Sequence, residues 1–174
     1  MAKWTIDPDH SVAAFCVRHL MIANVRGQFN KISGTVRFDP ADPAGLSMEA
    51  AIDVAGIYTG IGKRDEHLRS PDFFDAEKLP TISFHSTGFV FAGGKQGKLA
   101  GQLTVHGITR PVVLDVTFSG PVTGPVEIGG ETTIGLSART FLNREDFGMT
   151  WNVPFGDGGV VVGREVEISL EIEA

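Results

Sequence analysis

This chain has a single cysteine, no long apolar run and no basic cluster. Cysteine occurs once, at Cys16, so no internal disulfide can form, and that usage fits a reducing compartment. Its neighbours Phe15 and Val17 make Cys16 read as a small core residue. Nowhere do about 18 apolar residues follow one another, as a helical membrane span requires. The opening MAKWTIDPDH lacks the apolar segment of a secretion signal. A cytoplasmic location is therefore expected for the chain as written, and a periplasmic one if a leader has been trimmed. Fifteen Lys and Arg stand against 21 Asp and Glu, a formal charge of -6. With no basic run to neutralise phosphates, nucleic acid is not expected as a partner.

Recognisable reaction chemistry is missing too. Five histidines, at positions 10, 19, 67, 85 and 106, show none of the HxH, HxxxH or HExxH spacings that place two imidazoles on one metal. His85 and His106 fall on polar faces of their strands, and His10 falls in a turn after Asp7-Pro8-Asp9, where side chains usually cap backbone amides. GIYTGIGKR (56–64) has the wrong spacing for a phosphate-binding loop and puts Arg64 where a Ser or Thr would hold magnesium. Asp9, His10 and Ser11 are consecutive; adjacent residues of an extended chain point to opposite faces, so they form no relay alone. No metal, cofactor or catalytic residue is expected, and the protein reads as a non-enzyme.

What remains is apolar and periodic. Hydrophobic residues make up 42% of 174, enough for one domain over residues 1–174. The period is two. ISGTVRFD (32–39) puts Ile32, Gly34, Val36 and Phe38 on one side, SMEAAIDV (47–54) does the same with Met48, Ala50, Ile52 and Val54, and REVEISLEIE (164–173) alternates Val166, Ile168, Leu170 and Ile172 with polar residues, mostly glutamates. SVAAFCVRH (11–19), TISFHSTGFVF (81–91), KLAGQLTVHG (98–107), PVVLDVTFSG (111–120) and TTIGLSART (132–140) complete the set, HGITRP forming a hairpin loop and VRGQFNKI opening a long second strand.

About eight strands follow, antiparallel because their connections are short. Twenty-two glycines suit strong curvature, and the expected architecture is all-β: an eight-stranded antiparallel barrel, with a two-layer sandwich as the structural rival. One helical insertion is expected near residues 60–76, supported by an Asp65–Arg69 pair four apart and a second turn capped at Ser70-Pro71. Twelve phenylalanines against one tyrosine and two tryptophans line dry space or fill it.

In order along the chain, WTIDPDHSVAAFCVRHL, VRGQFNKISGTVRFD, RDEHLRSPDFFD, LPTISFHS, GQLTVHGITRPV and NREDFGM resemble the landmarks of the YceI-like polyisoprenoid-binding family. The resemblance carries over by position to Trp4, Asp7, His10, Ser11, Phe15, His19, Gly27 and Phe29. It continues through Arg64, Asp65, His67, Leu68 and Phe73 to Pro80, Phe84, Ser86, Gly101, Leu103, Gly107, Arg144, Phe147 and Gly148. It implies an extended, lipocalin-like barrel whose long apolar cavity holds an isoprenoid chain, such as that of an isoprenoid quinone or its precursor, for storage or transport without catalysis.

On that basis the expected cavity liners are Phe15, Val17, Phe29, Phe38, Ile57, Phe84, Phe118, Phe141 and Phe147. RDEHLRSPDFFD is expected to form a lid: Asp65 pairs with Arg64 or Arg69, Leu68, Phe73 and Phe74 face inward, and Arg64 or His67 meets a polar head group. At about 0.8 kcal/mol per buried methylene, one five-carbon unit is worth roughly 4 kcal/mol before ordering costs. The alternatives are a lipid- or isoprenoid-modifying enzyme using the same cavity, and a filled barrel acting through its surface. A homodimer through an exposed wall is compatible with all of these.

Overall fold

The computed structural model describes residues 1–174. Its strands are β1 (Ala2–Thr5), β2 (Val12–His19), β3 (Ala23–Phe29), β4 (Ile32–Phe38), β5 (Ser47–Asp53) and β6 (Ile57–Tyr58). After a helix α1 (Gly62–Arg69) come β7 (Thr81–Gly93), β8 (Gln96–Val105), β9 (Ile108–Thr123), β10 (Thr132–Asn143), β11 (Pro154–Phe155), β12 (Gly159–Val160) and β13 (Val162–Glu173). Apart from the β11–β12 ribbon, they form one antiparallel sheet of 11 strands in the order β1-β4-β5-β7-β8-β9-β10-β13-β2-β3-β6.

The expected count of eight is corrected to 11, and the reason is local. The chain breaks at Ile6–Ser11 between β1 and β2, at Asn30–Lys31 between β3 and β4, and at the 3-10 turn Val54–Gly56 between β5 and β6. At each break the strand changes neighbours: β3 pairs with β2 and β6, whereas β4 pairs with β1 and β5. β1 and β6 end the sheet and do not pair with each other, so it is an antiparallel sheet curled into a half-barrel. The Ile6 amide continues the β1–β4 pairing by donating to the Gly34 carbonyl, and the Asp7 amide links that end of the sheet to β13 by donating to the carbonyl of Glu173.

Period-two patterning sets the inner face. Ile32, Val36 and Phe38 on β4, Met48 on β5 and Ile172 on β13 are all buried, as their alternation requires. The β8–β9 hairpin closes in two residues, His106 and Gly107, both with positive φ (52° and 73°), the backbone a type I′ turn needs. His106 thus lies in a turn and not on a strand face, its Nδ1 3.2 Å from the Phe147 carbonyl. Cys16, expected in the core, is half-exposed and sits in register with Glu167 and Arg26.

The insertion is shorter than expected. Helix α1 stops at Arg69 because Ser70 turns extended, its hydroxyl donating to the His67 carbonyl, and residues 71–74 form a turn. Asp65 does not meet Arg69. It is buried and accepts hydrogen bonds from the Thr59 amide (2.9 Å) and hydroxyl (2.5 Å), while Arg64 donates to the same hydroxyl (2.7 Å) and to the Thr59 carbonyl (2.9 Å). Arg69 reaches back to the carbonyls of Ala55 and Ile57. A buried carboxylate needs donors that are already fixed in place, and the Thr59 backbone offers a more rigid one than a neighbour on the same helix.

Candidate functional site

The curled sheet leaves a hollow. Its volume is about 170 Å³, and 26 of the 28 side chains around it are hydrophobic, the exceptions being Thr140 and Arg144. Val166, Ile168, Leu170 and Ile172 line it along β13, about 20 Å of strand at roughly 3.3 Å per residue. Met48, Ala50 and Ile52 face it from β5, Ile82 and Phe84 from β7. Such a wall offers dispersion and desolvation but almost no directional bonding.

One side is closed by the insertion. Leu68, Phe73 and Phe74 point into the hollow, and the rings of Phe15, Phe29 and Phe74 form a chain with centroids 5.8 and 5.6 Å apart. Phe15 can lie across the sheet because Gly27, its register partner on β3, has no side chain: a Cβ there would overlap the ring. On the outer side of Phe73, Trp151 and His67 complete an aromatic trio with centroids 4.8 to 5.2 Å apart, and His67 Nε2 lies 2.8 Å from Asp72. The sequence gives no signal for Trp151, because a lone Trp between Thr150 and Asn152 carries no periodicity.

Of the expected liners, Phe15, Val17, Phe29, Leu68, Phe73, Phe84 and Phe147 surround the hollow. Six residues do not, each for a reason the geometry supplies. Phe38 and Phe118 face inward but stack on one another at 4.9 Å, filling the interior beside Phe91. Ile57 is buried in the core in register with Phe29. Phe141 points outward, 55% exposed with Arg139 over its ring, since Thr140 and Leu142 on either side of it take the inward face. Arg64 is held by Thr59, and His67 by Asp72 and Trp151.

The one charge on the wall is Arg144, which begins the 3-10 turn Arg144–Phe147 and is buried. Nε donates to the Gly163 carbonyl (2.8 Å), one terminal nitrogen to Met149 (2.5 Å) and the other to Val162 (3.2 Å). Burial pushes its pKa down, partly opposed by the nearby Glu145 carboxylate. Outside the hollow, Asp7, His10 and Glu173 bring their oxygen and nitrogen atoms within 4.8 Å of one another at the surface. Spacing could not reveal this group, because Glu173 comes from the far end of the chain.

An apolar hollow inside a curled antiparallel sheet defines a class of small-molecule-binding β proteins. The YceI-like domain model matches residues 4–174, and the chain belongs to that family. It is 32% identical over 173 residues to UPF0312 protein SA2479 of Staphylococcus aureus (strain N315), covering 99% of this chain and 97% of that one. Among solved structures it is similar to BcnA of Burkholderia cenocepacia (TM-score 0.81, 26% identity, 97% and 99% coverage). It is also similar to the YCEI protein of Campylobacter jejuni (TM-score 0.74, 30% identity, 90% and 88% coverage). A domain from Saccharophagus degradans described as polyisoprenoid binding shares the fold at 14% identity (TM-score 0.68, 97% and 95% coverage). No helix is long and apolar enough to cross a membrane.

Proposed function

We propose that this protein binds the hydrocarbon tail of a polyisoprenoid or similar long-chain amphiphile, such as an isoprenoid quinone or its precursor, and stores or carries it without altering it. The observation that carries this reading is the composition of the hollow, 26 hydrophobic side chains of 28. Thr140 and Arg144 are its only polar residues, whereas covalent catalysis calls for a nucleophile held beside a base. The description of the Saccharophagus degradans domain as polyisoprenoid binding lends support at the level of fold.

Size sharpens the proposal. A dry cavity of about 150 Å³ holds one benzene-sized molecule, so the 170 Å³ hollow seats about one five-carbon unit. A longer tail enters only if Phe15, Phe29 and Phe74 change rotamers or the Phe73–Trp151 plug moves aside. The test is titration with a fluorescent prenyl probe. Wild type is expected to bind saturably, and the folded Phe73→Asp variant to lose binding; equal binding by the two would overturn this role for the plug.

A further inference from the structure

The β2–β3 hairpin ends in three apolar residues that the fold leaves uncovered. Leu20, Met21 and Ile22 are all exposed, the last two by 57% and 78%. The Ile22 amide donates to the His19 carbonyl across a turn in which Leu20 and Met21 both have positive φ, 49° and 61°. Asparagine and glycine take that backbone far more readily than leucine or methionine, so neither burial nor turn geometry accounts for these side chains. Phe155 on the β11–β12 ribbon and Val153 just before it are exposed as well. Hydrogen bonds tie them to the tip: the Leu20 amide donates to the Val161 carbonyl (2.8 Å) and the Val161 amide to that of Val153 (3.1 Å).

This apolar lip stands beside the plug. Val153 lies two residues after Trp151, which packs on the Phe73 ring that closes the hollow. The hairpin also differs in charge from the rest of the chain. The protein carries -6 overall, yet no Asp or Glu occurs between Asp9 and Asp39, a stretch that holds Arg18, Arg26, Lys31 and Arg37. Arg18 and Arg26 are exposed behind the tip, on the strand face opposite to that of Phe15 and Val17, which line the hollow.

We propose that the tip formed by Leu20, Met21 and Ile22 docks on an anionic lipid bilayer, with Phe155 beside it, and so sets the plugged mouth of the hollow against the membrane. This rests on the tail-binding reading above. Apolar side chains at such a tip gain by entering the boundary between head groups and acyl chains, and anionic head groups attract the arginines behind them. An acidic protein is otherwise repelled by such a surface, so the acid-free hairpin decides which end approaches; the ribbon, whose turn carries Asp157, follows it. A hydrocarbon tail that passes straight from bilayer to hollow never exposes its methylenes to water.

The experiment is co-sedimentation of the whole protein with vesicles of equal parts phosphatidylcholine and phosphatidylglycerol, with pure phosphatidylcholine vesicles alongside. Wild type is expected to bind the anionic vesicles more tightly than the neutral ones, and less so as salt is raised. The double variant Met21→Asn, Ile22→Ser places asparagine where the turn favours it, and is expected to fold normally and to lose roughly tenfold or more in vesicle affinity. Arg18→Gln with Arg26→Gln is expected to lose the preference for anionic lipid. Val126→Ser with Ile128→Ser alters residues at least as exposed at the far end of the 16-residue strand β9, and is expected to bind vesicles as wild type does. Equal vesicle binding by wild type and the tip variant, or none by wild type, overturns the docking; self-association of wild type that the tip variant abolishes overturns it in favour of a second copy. A fluorescent prenyl probe in solution separates the two readings. The tip variant is expected to bind it as wild type does, so docking can fail while tail binding stands, whereas wild type that binds vesicles and ignores the probe overturns the tail reading and the loading role with it.

Discussion

The ring of Phe15 occupies the space a side chain at position 27 would need. A Cβ on Gly27 would stand 2.7 Å from Cε1 of that ring and 2.8 Å from the Thr59 methyl, closer than such atoms approach. Gly27→Ala must displace Phe15, which heads the aromatic chain to Phe29 and Phe74. Overpacking of this kind costs about 1–3 kcal/mol. Urea unfolding is expected to show that loss, and an unchanged midpoint would mean the ring has room elsewhere.

Ala50 faces the hollow from the middle of β5 and is only half-buried. Ala50→Leu fills empty space with methyl groups. Stability is expected to hold or rise, while affinity for a prenyl probe falls roughly tenfold, about 1.4 kcal/mol. Phe141→Ser serves as the opposite case: because Phe141 faces outward, it is expected to change neither stability beyond about 0.5 kcal/mol nor affinity.

The insertion is anchored by Asp65, whose Oδ1 accepts both hydrogen bonds from Thr59. Asp65→Ala leaves the Thr59 amide without its partner, at a cost of about 1–3 kcal/mol. Hydrogen exchange is expected to quicken first over residues 59–76, since Asp65 ties the helix to the chain leaving β6 at Thr59. Uniform quickening across the protein would contradict a local anchor.

At the end of the sheet His10 Nδ1 lies 2.7 Å from Asp7 Oδ2. The hydrogen bond to Asp7 raises the histidine pKa above 6.5, and its counterpart lowers that of Asp7 below 3.8. The histidine contribution is complete below 6.5 and fades as pH rises through its raised folded value. The aspartate contribution is complete above 3.8 and fades as pH falls through its lowered folded value. Between those limits the tie is at full strength. Proton NMR titration of His10 is expected to give a value above the ordinary one in wild type and closer to it in Asp7→Asn; identical curves would exclude the pairing.

Much of the wall was legible as alternation: Met48, Ala50 and Ile52, and Val166, Ile168, Leu170 and Ile172, share faces in the sequence and line the hollow in the structure. The family resemblance, too, agrees with the domain match over residues 4–174. Residue type is a weaker guide to the wall than strand parity. Phe141 looked like a liner by type, but a strand admits one face per parity, and Thr140 and Leu142 hold the inner one. The Asp65–Thr59 anchor and the Asp7–His10–Glu173 group depend on chain reversals and end-to-end contact, which no local spacing encodes. Arg144 was visible only as part of NREDFGM; its bonds to Val162 and Gly163 span 18 and 19 residues.

The hollow is expected to take up a prenyl tail and to widen as it does so. Organic extraction of the purified protein, followed by mass spectrometry, tests it most directly. A prenyl-tailed amphiphile is expected in amounts comparable to the protein. An extract free of any such lipid, from protein that also takes up none after incubation with prenyl lipids, would contradict it.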